Sequence, residues 1–112
     1  MEKHWDLRTL EVAPHRPVIL HSARGQARSV ALHLPAGELL RDHQVHERMH
    51  VVVVDGEIEV QRGAETVTGG PGFFAVFDPG ERHEVRATKS DARLLLMLAP
   101  WPGDGHPGAR DA

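Results

Sequence analysis

A chain of 112 residues has room for one hydrophobic core and not for two. Its formal net charge of -3, with no basic block, excludes the electrostatic footprint of a nucleic-acid surface. The lack of cysteine excludes disulfides and thiolate ligands, so any bound metal must take nitrogen or oxygen donors.

Eleven glycines and eight prolines interrupt the chain too often for long helices, and short strands joined by turns fit better. The opening MEKHWDLRTLEV has no apolar stretch of the signal-peptide kind. The apolar runs at Val51 to Val54 and Leu94 to Pro100 fall far short of the roughly 20 residues of a membrane-spanning helix. A cytoplasmic protein with no membrane or nucleic-acid partner is expected.

In chain order, Pro14 and Pro17 frame a lead-in to a first strand at Val18 to Leu20. From Ser29 the pattern alternates, with Val30, Leu32 and Leu34 on one face and Ser29, Ala31 and His33 on the other, which predicts a half-buried strand. Pro35-Ala36-Gly37 ends it. Val51 to Val54 reads as a strand, Asp55-Gly56 as a hairpin turn, and Glu57 to Gln61 as the returning strand. Short strands follow at Glu65 to Thr68, Phe73 to Phe77, His83 to Ala87 and Leu94 to Ala99, separated by Gly and Pro breakers. Residues 1–112 form one domain with its core in about 17–99, and the Pro- and Gly-rich tail 100–112 is expected to be irregular. Eight or nine short strands at this spacing predict a sandwich or barrel.

Three histidines, His43, His46 and His50, stand just before the valine strand. His46-Glu47-Arg48-Met49-His50 matches the H-E-x-x-H pattern of zinc proteases, which works on a helix, where its two histidines lie one turn apart. The four β-branched valines and the Asp-Gly turn that follow at once favour a strand and reject that assignment.

A two-part pattern fits better. Gly37, five residues, His43 and later Gly56 form one half; Pro71-Gly72, five residues, Asp78, Pro79, Gly80, two residues and His83 form the other. In these residues the chain resembles the cupin superfamily. The first motif there is Gly, five residues, His, one, His, three or four, Glu, six, Gly; the second is Pro-Gly, five, Pro, one, Gly, two, His, three, Asn. The resemblance implies a cupin-type double-stranded β-helix, a jelly-roll barrel of the RmlC-like kind, with a divalent metal at its inner mouth.

This chain departs from the pattern at the ligands. In strict register the second His position is Val45, the Glu position is Met49 and the Asn position is Ala87, while Asp78 stands where proline is usual. A shift of one residue, with a bulge near Gln44-Val45 and compensation before Gly56, would instead give His46 and His50 the family's three-residue gap. Four successive valines cannot decide between the registers. The ligand set implied by the shifted register is His43, His46, His50 and His83. In the strict register Glu47 takes part, because it shares a face with His43 and Met49. Imidazole donors suit Zn, Fe, Ni or Cu.

His4, His15, His21 and His106 lie near ends or turns, where a solvated ring is expected, and His33 either lines the barrel or faces water. Arg41, Arg48 and Arg82 adjoin the ligand segments and read as surface charges, with anion binding as the sharper alternative. The phenylalanines at 73, 74 and 77 read as core or interface.

The barrel is expected to take a small organic molecule. One possible function is that of a metal-dependent dioxygenase or isomerase, another that of a non-catalytic small-molecule or metal-sensing module, and a third that of a metal-free interaction domain. Apolar side chains on both faces of Val51 to Val54 predict that a partner chain covers one face, hence a homodimer.

Overall fold

The computed structural model describes residues 3–40 and 47–103. Within them the chain forms nine strands: β1 Val18–Ser22, β2 Arg28–Leu34, β3 Leu39–Leu40, β4 Arg48–Asp55, β5 Ile58–Arg62, β6 Glu65–Gly69, β7 Phe74–Phe77, β8 Glu84–Ala87 and β9 Ala92–Ala99. The two-residue β3 has no counterpart in the sequence pattern, because two leucines carry no periodicity. The strands make a five-stranded sheet, β1-β2-β9-β4-β7, and a four-stranded sheet, β3-β8-β5-β6. All pairings are antiparallel. This is the all-β jelly-roll arrangement expected from the sequence.

Alternation decides which side chains meet between the sheets. Val30, Leu32 and Leu34 of β2, Met49, Val51 and Val53 of β4, and Leu94, Leu96 and Leu98 of β9 are buried. They join Ile58 and Val60 of β5 and Val85 and Ala87 of β8 in one apolar cluster. Each fully buried valine or leucine there contributes about 1.5–3 kcal/mol relative to exposure. The last strand, β9, has a buried inner row and a half-buried outer row.

The β4-β5 turn is held by a close backbone approach. Gly56 has φ +81, and a Cβ there would collide with the carbonyl oxygen of Asp91 and stand 2.8 Å from Ala92 Cα. Gly37, with φ +76, faces open space. We therefore expect Gly56→Ala to cost at least about 2 kcal/mol, strain and collision combined, whereas Gly37→Ala should cost about 1–2 kcal/mol from the left-handed conformation alone. Urea unfolding midpoints of the two variants measure the difference.

A second clamp fastens the N-terminal segment to the outer face of the five-stranded sheet. His33 and Arg93 are direct partners across β2 and β9. Arg93 donates to the carbonyls of Leu7 at 3.3 Å and Leu10 at 2.6 Å. The His33 ring has its Nδ1 3.0 Å from the Val12 carbonyl and its Nε2 2.7 Å from Asp91 Oδ2, while Asp91 Oδ1 accepts the Ala36 N–H. A carbonyl and a carboxylate can both only accept, so the ring donates twice and is an imidazolium in this arrangement. His33 thus neither lines the barrel nor simply faces water. The bond to Asp91, then that to Val12, raises the His33 pKa against the opposing effects of burial and Arg93. The same contact with His33, then the Ala36 N–H, lowers that of Asp91.

A raised histidine pKa stabilises the fold fully below the unfolded value of about 6.5 and loses that contribution as pH rises through the folded value. Stability measured by denaturant titration should therefore fall from pH 6 toward pH 9, and His33→Gln should flatten that fall.

Candidate metal centre

The segment before β4 delivers Glu47 to the barrel interior. Glu47 is 4% exposed, and the inward row continues through Met49, Val51 and Val53. Met49 is paired with Phe77 on one side and Leu98 on the other, which locks the parity of the strand. The register is thus the strict one at this point. His50 projects from the opposite face, with its ring edge-on to Phe74 at 5.6 Å and 82°; Phe74 is itself 53% exposed.

The expectation that His50 belongs to the inner ligand set is therefore corrected, because a one-residue difference in a strand means the other face. An irregularity does occur before Gly56, between Val53 and Asp55 on the β9 side, but it leaves Met49 pointing inward. His43 and His46 lie outside the described residues.

From the other motif, the β7-β8 loop brings His83 inside, 7% exposed. Its ring stacks on Phe77, which is completely buried, with centroids 3.8 Å apart and planes 12° apart. His83 Nδ1 lies 3.0 Å from the Glu81 carbonyl oxygen. Since that oxygen can only accept, Nδ1 carries the proton and, in the neutral ring, Nε2 carries the lone pair. This is the usual arrangement behind a metal-ligating imidazole.

The loop that places His83 is tied at several points. Glu81 Oε1 accepts the Asp78 N–H at 2.9 Å, and the Glu81 N–H donates back to the Asp78 carbonyl at 3.0 Å. Glu81 Oε2 forms an ion pair with Arg62 Nε at 2.9 Å. Arg62, at the end of β5, also donates to the Val76 carbonyl and sets its guanidinium carbon 4.4 Å from the Phe77 ring centroid. It thereby links the two sheets next to His83. No motif announces this pair, since Arg62 at the end of β5 and Glu81 in the β7-β8 loop meet only through the fold.

Arg48 is ion-paired with Asp78 and Arg82 is exposed; Arg41 lies outside the described residues. Phe77 is core, Phe73 packs partly buried against the core, and Phe74 lies on the outer face.

Glu47 and His83 are the two buried polar or charged residues among the described ones. No group of three or more His, Asp or Glu side chains able to hold a metal occurs among the described residues. What the inner face does offer is one imidazole and one carboxylate, donor types that fit a divalent transition metal if a further donor comes from the first motif.

The cupin domain family profile matches residues 30–98. The chain belongs to the cupin family. Solved structures agree on the fold. The TT1209 protein of Thermus thermophilus is 24% identical with a TM-score of 0.77, over 90% of this chain and 100% of that one. The cupin domain of Schizosaccharomyces pombe Cnp3 is 18% identical with a TM-score of 0.74, over 84% of this chain and 66% of that one. KdgF from a Halomonas species is 22% identical with a TM-score of 0.68, over 81% and 85%. No curated protein matches the chain in sequence. Among the described residues no helix is long and apolar enough to cross a membrane.

Proposed function

We propose that the barrel binds one divalent transition metal, Zn, Fe, Ni or Cu, together with a small organic molecule. His83 and Glu47 supply two donors, and His43, the histidine that fits the first cupin motif in strict register, supplies a third. The observation that carries this is the buried His83 ring, whose Nδ1–H is committed to the Glu81 carbonyl at 3.0 Å so that Nε2 is the basic nitrogen.

When bound, the metal would act as a Lewis acid on an oxygen of the organic molecule, and three protein donors would leave coordination positions for it. The reaction classes that suit such a centre are isomerisation and dioxygenation. A second reading, a non-catalytic binding or sensing module, is favoured by one observation. The two buried polar residues described, Glu47 and His83, are both used as donors, which leaves no separate buried acid or base among the described residues to move a proton.

Elemental analysis of protein purified without an affinity tag should find close to one metal per chain. His83→Ala and Glu47→Gln should each weaken metal binding by at least about tenfold, whereas His50→Ala should leave it unchanged. Absence of metal and of uptake on reconstitution would reject the centre, and equal losses for His50→Ala and His83→Ala would reject this donor set. Redox-active iron or copper with exchangeable positions would favour the enzyme, and saturated zinc the sensor.

We further propose that a second copy of the chain covers the outer face of the five-stranded sheet. Val52, Val54, Val76, Leu95 and Met97 are half-buried there and Phe74 is 53% exposed, a contiguous apolar surface beside His50. Sedimentation should show a dimer, and Phe74→Asp should raise its dissociation constant at least about tenfold, in keeping with loss of a buried aromatic anchor. A monomer at all concentrations would refute the pairing.

A further inference from the structure

We propose that Arg62 and Glu81 are positioning residues for His83, forming with Phe77 and the backbone of Asp78 a strut that fixes the plane and the tautomer of its ring. The purpose of the strut rests on the proposed metal site, whereas its geometry does not.

Each link of the strut constrains one degree of freedom of the imidazole. The Glu81 carbonyl, 3.0 Å from Nδ1, selects the Nδ1–H tautomer. Phe77, stacked at 3.8 Å, fixes the ring plane. Glu81 can hold its carbonyl in place only if its own side chain is anchored, and both carboxylate oxygens are engaged: Oε1 by the Asp78 N–H at 2.9 Å, Oε2 by Arg62 Nε at 2.9 Å. Arg62 in turn lies against the Phe77 ring, at 4.4 Å, and on the Val76 carbonyl. The circuit therefore closes: Arg62 touches both the residue that holds the ring nitrogen and the residue that stacks on the ring. A lysine could make the ion pair but would lack the planar fork that reaches Glu81 and Val76 together.

Asp78 gives independent support. It stands where the cupin motif usually has proline, and proline has no N–H to donate. The Glu81 anchor seen here is thus available because of that departure. The departure also brings a side chain that pairs with Arg48, so two effects must be separated: Asp78→Ala removes the ion pair and keeps the N–H, while Asp78→Pro removes both.

The test reads the ring itself. Nitrogen-15 correlation spectra of metal-free protein at about pH 8, above the ordinary imidazole range, should show His83 as a single Nδ1–H tautomer. Arg62→Ala, Glu81→Gln and Asp78→Pro should each convert it to a mixture, Arg62→Lys should restore the single form partly, and Asp78→Ala should keep it. Zinc affinity should fall about 10–100-fold in the three disrupting variants.

If these variants keep a pure Nδ1–H ring and wild-type zinc affinity, the strut is overturned, whatever happens to thermal stability. If wild-type protein binds no zinc yet Arg62→Ala scrambles the tautomer, the metal site is refuted and the strut stands. Should Arg62→Ala fail to fold, Glu81→Gln, which preserves volume and the backbone carbonyl, carries the same test.

Discussion

The parity of β4 is the constraint on which the rest depends. This strand lies between β9 and β7 and is hydrogen-bonded on both edges, so its side chains have no freedom to choose a face. With Met49 opposite both Phe77 and Leu98, the inward row is Glu47, Met49, Val51 and Val53, and the outward row is His50, Val52 and Val54. A slip by one residue would bring the His50 imidazole into the core, where a polar group without partners costs about 1–3 kcal/mol. It would also expose Met49 at a loss of about 1.5–3 kcal/mol. The valines are indifferent to the slip, so the residues at the start of the strand decide.

That explains what the sequence could and could not reveal. Turn residues and apolar alternation made eight of the strands legible, and two linked half-motifs made the barrel legible, because those signals are local. The inward place of His83 was legible through the resemblance, whose second motif puts a histidine three positions after Gly80. The face of His50 was not, since the evidence for it sits in Phe77 and Leu98, far along the chain, and in pairings that exist after folding. The H-E-x-x-H match illustrates the same point. Its two histidines would lie one turn apart on a helix, but here His50 on β4 is turned to the outer face and Glu47, just before the strand, to the inner one.

The strand's two ends are secured by the same device made from different residues. Near its beginning, Glu81 takes a backbone N–H from Asp78 on one carboxylate oxygen and an arginine on the other. Near its far end, where Gly56 meets Asp91, the Asp91 carboxylate takes the Ala36 N–H on one oxygen and the His33 ring on the other. In each case an anion ties a loop's backbone to a cationic group rooted in a strand, and a backbone hydrogen bond together with an ion pair offsets the entropy of ordering the loop. The sequence shows neither bridge, since a carboxylate in a loop looks like any other surface charge until its partners are known.

The two bridges differ in what they can respond to. A guanidinium keeps its proton where an imidazolium loses its own, so the Glu81 bridge retains its cation through the change that affects the His33 bridge. The His33 bridge depends on an imidazolium, and deprotonation leaves the ring one proton for two acceptors, Val12 and Asp91. The loop that carries His83 is therefore tied by a guanidinium, while the N-terminal segment on the outer face is held by the His33 imidazolium together with Arg93. Because Arg93 keeps its grip on Leu7 and Leu10 when His33 is neutral, the expected response is a loosening at Val12 and Asp91 and not a release of the whole segment. The contacts that brace His83 run to Glu81 and Phe77, and through them to Arg62, none of which belongs to the His33 clamp.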